Sequence, residues 1–398
     1  MNIHPLASAL APDLTAWRRA LHAHPELGFE ERWTSDFVAE KLSGWGIPIQ
    51  RGLAGTGVVA TLNGRGHASC AIGLRADLDA LPIQELNEFA HASQHPGRMH
   101  ACGHDGHTAM LLGAAYCLAR DPSFSGTVHF IFQPGEEGCG GAERMVKEGL
   151  FEQNPCNAVY GLHNWPALKF GMMGLRVGPL LASMDLIEIL VRGRGGHGAL
   201  PHTTIDPIVT SAHIVTALQT LVSRSTKPTD AAVVSITCIQ GGTAHNVIPE
   251  TVRMLGTVRS FTPSVRNALE AGIRQIAEGV ARSFGASATV QYTRLASAVV
   301  NSADEARLAA SAAAAVLGAD QVLDPMELVM GSEDFSFLVA DRPGAYVFLG
   351  QADAPNPSMI HNATYDFDDK LLPIGVSYWI KLVEQALPLS SRQRPIAP

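Results

Sequence analysis

The sequence predicts an α/β fold: a larger domain built on a mainly parallel sheet, with a smaller α+β domain inserted into it. Three short apolar runs followed by turn residues, at 70–77, 127–132 and 158–163, read as strands buried on both faces. Helical patterns separate them, the alternation expected of βαβ units. Between about residues 183 and 292 the texture changes, and 253–259 alternates in the manner of a half-exposed antiparallel strand. The predicted boundaries are therefore 1–182 plus 293–398 for the larger domain and 183–292 for the insert.

In the larger domain, the residues from Thr108 to Leu118 carry apolar groups at helical spacing, and Asp105 is placed to cap that helix. In the insert, strands are predicted at 185–191, 231–239 and 253–259. Helices are predicted over 206–221 and from Thr262, where Pro263 falls in the first turn and Val265, Leu269, Ile273, Ile276 and Val280 share a face. The set reads as a βαββαβ-like block. The alanine-rich run 308–319 is bracketed by Asp304, Glu305, Arg307 and Asp320, which marks a buried helix and not a membrane span. Residues 345–350 return to the buried-strand texture and close the larger domain.

At 398 residues, 46% hydrophobic and 17% charged, the chain has enough apolar material for a large core without disulfide or metal staples. A formal charge of −8 argues against a nucleic-acid partner, which needs a dominating positive field. Residues 1–14 lack the basic start and apolar run of a secretory signal, so a cytoplasmic protein with no membrane partner is expected. The six cysteines, Cys70, Cys102, Cys117, Cys139, Cys156 and Cys238, show no paired spacing and are expected as thiols rather than disulfides.

Several segments hold candidate chemistry. In His-Ala-Cys-Gly-His-Asp-Gly-His, residues 100–107, Cys102 and His104 stand two apart in a turn before a helix, so thiolate and imidazole can face one side. Such donors suit zinc-like transition metals; the segment by itself reads more readily as a buried cysteine and a core histidine. In Gln-Pro-Gly-Glu-Glu, residues 133–137, two carboxylates follow an apolar strand. They are poor core material: either a metal neutralises one and its neighbour serves as a base for an activated water, or the pair is a solvated loop. His163 ends the run Ala-Val-Tyr-Gly-Leu-His, and His361 lies in Met-Ile-His-Asn-Ala-Thr-Tyr. Each alone reads more readily as a structural histidine than as a ligand; together, beyond apolar strands, they fall where open α/β sheets gather ligands.

Arg-Ala-Asp-Leu-Asp, residues 75–79, adds Asp77 and Asp79, expected to orient a histidine ligand or the glutamate base through hydrogen bonds, the alternative being a cap or turn. In the insert, glycines around His197 and before His245-Asn246 permit backbone approach to a ligand, with His197 and Asn246 as donors to an oxyanion or a carboxylate. His202 and His245 read as turn residues. No nucleophile elbow, dinucleotide fingerprint or Cys-x-x-Cys pair is present.

These motifs, in order and together with Leu-His-Ala-His-Pro-Glu-Leu-Gly-Phe-Glu-Glu (21–31) and Gly-Ser-Glu-Asp-Phe (331–335), resemble the M20 metallopeptidase superfamily, in its branch of hippurate hydrolases and N-acyl-amino-acid or auxin-conjugate amidohydrolases. The resemblance implies a catalytic domain with zinc-peptidase-like layers, an inserted dimerisation or lid domain, and a homodimer or dimer-based oligomer. It implies two divalent ions per subunit (manganese, zinc, cobalt or nickel) held by Cys102, His104, Glu137, His163 and His361. Glu136 is implied as the general base, and His197 and Asn246 as residues near the substrate, one of them reaching across a dimer. The expected reaction is hydrolysis of the amide bond of a small N-acyl amino acid, hippurate (N-benzoylglycine) first, with acetylated amino acids such as N-acetyl-diaminopimelate as the alternative. A non-catalytic metal-binding homologue is disfavoured by Glu136 beside Glu137, and a thiol-redox protein using Cys102 by the lack of a nearby resolving cysteine. Leu78 stands where this branch often has methionine, and Asn-Ala-Thr follows His361 where a proline is common.

Overall fold

The computed structural model describes residues 1–352 and 358–389; residues 353–357 and 390–398 of the expected larger domain lie outside the described residues. The chain divides into two compact units, one comprising Met1–Leu180, Val300–Glu327 and Asp334–Pro398, the other Leu181–Val299 with Leu328–Glu333. The second unit contains the expected insert and runs past it. Its strand Ser287–Ala296 stays paired with Met184–Arg192 as far as Ala296, which carries the chain beyond Tyr292.

The first unit is built on an eight-stranded sheet in the order Ile49–Leu53, Gly57–Asn63, Ser125–Gln133, Gly66–Asp77, Ala158–Lys169, Gly344–Ala352, Met173–Gly174, Val322–Leu323. Its middle strands, from Ser125–Gln133 to Gly344–Ala352, run parallel, and antiparallel pairs occur toward both edges. The strand Ser125–Gln133 is buried almost throughout, as a strand covered on both faces must be. The helices Ala11–Ala23, His104–Arg120 and Leu372–Ala386 pack on one another and share one core, with Leu14, Leu111, Trp379 and Val383 buried in it. Burying each such side chain stabilises the fold by about 1.5–3 kcal/mol.

Two local expectations are corrected. The alanine-rich helix spans Ala303–Leu317 and not 308–319, because Asp304 and Glu305 sit inside its first turn, where negative charge opposes the helix dipole favourably. The strand that carries His163 continues to Lys169, so His163 lies within it, level with Phe348 of the neighbouring strand.

One feature of register positions the chemistry. Strands Gly66–Asp77 and Ala158–Lys169 are paired only as far as Arg75 and Gly161. Beyond that point they part, leaving Asp77 and His163 at an opening on the carboxyl side of the parallel strands, the usual place for a ligand in such sheets.

The second unit is a four-stranded antiparallel sheet in the order Ala232–Gly241, Thr251–Ser260, Met184–Arg192, Ser287–Ala296. With helices Pro207–Thr220 and Pro263–Ser283 it forms the βαββαβ arrangement. Both helices begin where the sequence signals: Asp206 accepts the amides of Ile208 and Val209, and Thr262 accepts that of Val265. Buried Arg266 donates to both oxygens of Asp185, and Oδ2 also accepts the Tyr292 hydroxyl. No helix among the described residues is long and apolar enough to cross a membrane, and the cysteines there form no disulfide.

Candidate metal centre

The opening between the two strands is met by the start of helix His104–Arg120. Gly103 precedes that helix with φ of +102°, and a Cβ there would stand 2.2 Å from Asn164 Oδ1. Only glycine permits this turn, which brings Cys102 and His104 up to the strand bearing His163. Asp105 does not cap the helix as expected. It lies inside the first turn, and its carboxylate is drawn inward by Arg18 Nε and His22 Nδ1, each at 2.8 Å.

Cys102 Sγ lies 3.3 Å from His163 Nε2. Cys102, His104 and His163 bring one donor atom each within 4.8 Å of one another, as do Cys102, Glu137 and His361, and His104, Glu136 and Glu137. These groups share members and so form one cluster. Asp77, His104 and His107 make a further such group. There, however, Asp77 is also engaged by Arg75 Nη1 at 2.8 Å and His107 Nδ1 at 2.6 Å.

The donor set fits a divalent transition metal on several counts. His104 Nδ1 donates to the Asp79 carbonyl at 2.8 Å and His163 Nδ1 to the Asn164 carbonyl at 2.6 Å, so both rings turn Nε2 toward the cluster. His104 Nε2 and Glu137 Oε1 are buried with no hydrogen-bond partner among the described residues. Glu137 Oε1 is 3.1 Å from His361 Nε2, close enough for an ion pair but not aligned as a hydrogen bond. Buried polar atoms left in this way are rare unless an ion or water completes them. Burial, with His107 nearby, holds His163 well below the ordinary imidazole value, which suits a neutral ligand. For His104 burial acts in the same direction, but the Asp77 and Asp79 carboxylates outweigh it and push the ring up to about 10. The same negative charge that holds a proton there favours a divalent cation in its place.

The remaining donors are held from the backbone. Asp79 Oδ1 accepts the Glu136 amide at 3.0 Å and Oδ2 the Glu137 amide at 2.9 Å. His361 has φ of +64° and donates its amide to the Ala101 carbonyl at 2.7 Å. A left-handed non-glycine residue costs about 1–3 kcal/mol and persists where its surroundings impose it, commonly at ligand sites.

The model of peptidase family M20/M25/M40 matches residues 73–385. The chain is 38% identical over 382 residues to a hippurate hydrolase of Campylobacter jejuni, covering 96% of this chain and 98% of that protein. It is 40% identical over 374 residues to an N-acetylcysteine deacetylase of Bacillus subtilis, covering 92% and 94%. The chain belongs to peptidase family M20/M25/M40. Among solved structures, a dinuclear metal-binding M20 peptidase of Bacillus subtilis superposes with a TM-score of 0.83 at 37% identity, covering 94% of this chain and 98% of that one.

In this M20 enzyme the side chains singled out in sequence as ligands, Cys102, His104, Glu137, His163 and His361, stand together, with Glu136 beside them. His197 and Asn246 are neighbours in the second unit. The short strands Gly196–His197 and Val247–Ile248 pair, and the Gly198 amide donates to the Asn246 carbonyl at 2.8 Å. His197 Nδ1 accepts the Ala199 amide at 3.0 Å, so the neutral ring carries its proton on Nε2, on an exposed side chain.

The residues that sequence reasoning left without a role are those that hold the cluster in place. Arg75 links Asp77, Gln133 and Asp334. His107 bridges Asp77 and Asn164. Arg18, His22 and Glu85 fix Asp105 at the helix start. His22, Arg75, His107 and Gln133 fall inside the motif segments, but nothing local to them names the distant partners they hold.

Proposed function

We propose that this M20 hydrolase cleaves the amide bond of small N-acyl amino acids, with hippurate-like N-benzoylglycine favoured. We assign two divalent ions (manganese, zinc, cobalt or nickel) to Cys102, His104, Glu137, His163 and His361. The observation that carries the reading is the single cluster of thiol, imidazole and carboxylate donors, with His104 Nε2 and Glu137 Oε1 lacking hydrogen-bond partners among the described residues and Glu136 adjoining. When bound, such ions acidify a water and polarise the acyl carbonyl.

Glu136 takes the proton from the attacking water and returns it to the leaving amine, so that carboxylic acid and amino acid depart. Asp79 holds the amides of Glu136 and Glu137 and keeps the base beside the ligand carboxylate. His197, with its Nε2–H available, serves as donor to the substrate oxygen, and Asn246 as its neighbouring substrate contact. The second unit is proposed as the dimerisation or lid domain of a cytoplasmic homodimer. Its outermost strand Ala232–Gly241 and the exposed Ile208, Val209 and Ile239 support this, since an open strand edge is a template for pairing.

The deacetylase relative favours a second reading, removal of acetyl groups from amino acids. Amine release from hippurate and from a panel of N-acetyl amino acids separates the two. Chelated enzyme is reloaded singly with manganese, zinc, cobalt or nickel, and Glu136→Gln is run alongside. The variant is expected to retain metal while turnover falls by about 10²–10⁴-fold. Stoichiometric metal binding with no turnover on any substrate would overturn the proposal.

A further inference from the structure

The motif over residues 21–31 ends in Glu31, a carboxyl with no exposed surface and no part in the donor cluster. It stands before helix Arg32–Gly44, yet its side chain makes no capping bond to that helix. Instead, Oε1 accepts the Gly135 amide at 2.9 Å and Oε2 accepts the Thr56 hydroxyl at 2.7 Å. Three successive amides, those of Gly135, Glu136 and Glu137, therefore donate to two buried carboxyls, Glu31 and Asp79.

Gly135 has φ of +62°, a conformation open to glycine and easily left by it. Asp79 holds the peptide plane after Gly135, and Glu31 holds the plane before it. With both planes fixed, the glycine cannot swing, and the direction in which Glu136 leaves the backbone is set. We propose that Glu31 is a positioning residue for Glu136, locking the glycine hinge that precedes the base. The inference rests on the reading of Glu136 as that base.

The physical demand is for an acceptor at Oε1. Burial, with the Asp79 charge adding to it, pushes Glu31 up to about 7. A carboxyl oxygen accepts the Gly135 amide whether or not the group is protonated. Glutamine is thus the conservative replacement: its Oε1 accepts from Gly135 and its amide donates to Thr56 Oγ1. Leucine fills the space and removes the acceptor.

The experiment compares Glu31→Leu and Glu31→Gln with Glu26→Ala. Glu26 accepts the Trp33 and Thr34 amides at the start of the same helix, so its loss weakens that region without touching the hinge. Metal content, kcat, KM and hydrogen exchange of peptides covering residues 133–142 are measured on the metal-loaded, full-length protein. Glu31→Leu is expected to load metal fully, to exchange faster over 133–142 and to lose about 10–100-fold in kcat with KM little changed. Glu31→Gln should restore both the exchange pattern and kcat, and Glu26→Ala should lower Tm alone. If Glu31→Leu does not fold, Thr56→Val, which removes one anchor of the carboxyl, should still raise exchange over 133–142 and lower kcat.

Unchanged exchange and kcat in Glu31→Leu or in its substitute Thr56→Val, or a Glu31→Gln as impaired as Glu31→Leu, would overturn the inference. Inactivity of the wild type on every N-acyl amino acid would remove the proposed function instead, while the exchange pattern would still decide whether Glu31 holds the hinge.

Discussion

Asp79→Asn separates the geometry of the loop bearing Glu136, the proposed base, from its chemistry. The Asp79 carboxylate is 1% exposed and accepts two amides, Glu136 at 3.0 Å and Glu137 at 2.9 Å, while its carbonyl accepts His104 Nδ1. Asparagine keeps the shape, the carbonyl and one side-chain oxygen. Its NH₂ must then face one of the two amide donors. One charge-assisted bond is lost, and the amide it served is left buried without an acceptor; these describe the same contact and are not summed. The expected loss in unfolding free energy is about 1.5–3 kcal/mol. Turnover should fall by about 10–100-fold through tilting of the loop. Metal uptake should persist, because His104 is oriented by the Asp79 backbone, which the substitution leaves in place. Urea unfolding of chelated protein, chelator-competition titration and kcat on reloaded enzyme read the three quantities separately. Wild-type kcat accompanied by the full loss of stability would refute the positioning argument. Loss of metal with intact stability would refute it equally, by moving Asp79 to the ligand set.

Two further outcomes follow from the buried groups. His22 lies between the Asp105 and Glu85 carboxylates, which outweigh the effect of burial and raise its pKa. Because the folded value exceeds the unfolded one, the stabilisation is complete below about pH 6.5 and is lost as pH rises through the folded value, with a slope of up to about 1.4 kcal/mol per pH unit. Urea midpoints of the metal-free protein should therefore fall more steeply toward alkaline pH in the wild type than in His22→Gln, and parallel curves would remove His22 from the account. Alkylation tests Cys102: exposed Cys139 should label with or without metal, whereas Cys102 should label only after chelation. Cys117 and Cys156, pushed up to about 12 by burial, should stay unlabelled in the native protein. Equal labelling of Cys102 in metal-loaded and chelated protein, by peptide mass mapping, would exclude it as a ligand.

By itself the sequence determined the parts that depend on near neighbours. Period and punctuation disclosed the buried parallel strands, the βαββαβ order and the helix starts at Asp206 and Thr262, since each is a property of a few adjacent residues. Donor chemistry marked Cys102, His104, Glu136 and Glu137 because charged or metal-seeking groups beside apolar strands are hard to place otherwise.

Only the tertiary structure decided how those groups are held. Asp105 reads locally as a cap, but a buried guanidinium 87 residues away in sequence draws its carboxylate inward. Asp79 reads as an orienting side chain for a ligand or the base, and only the fold shows its carboxylate gripping the amides of residues 57 and 58 positions further on. Glu31 reaches Gly135 across 104 positions. No local period records such contacts. They exist because parallel strands return distant segments to one edge, where the register that parts Gly66–Asp77 from Ala158–Lys169 makes room for the cluster.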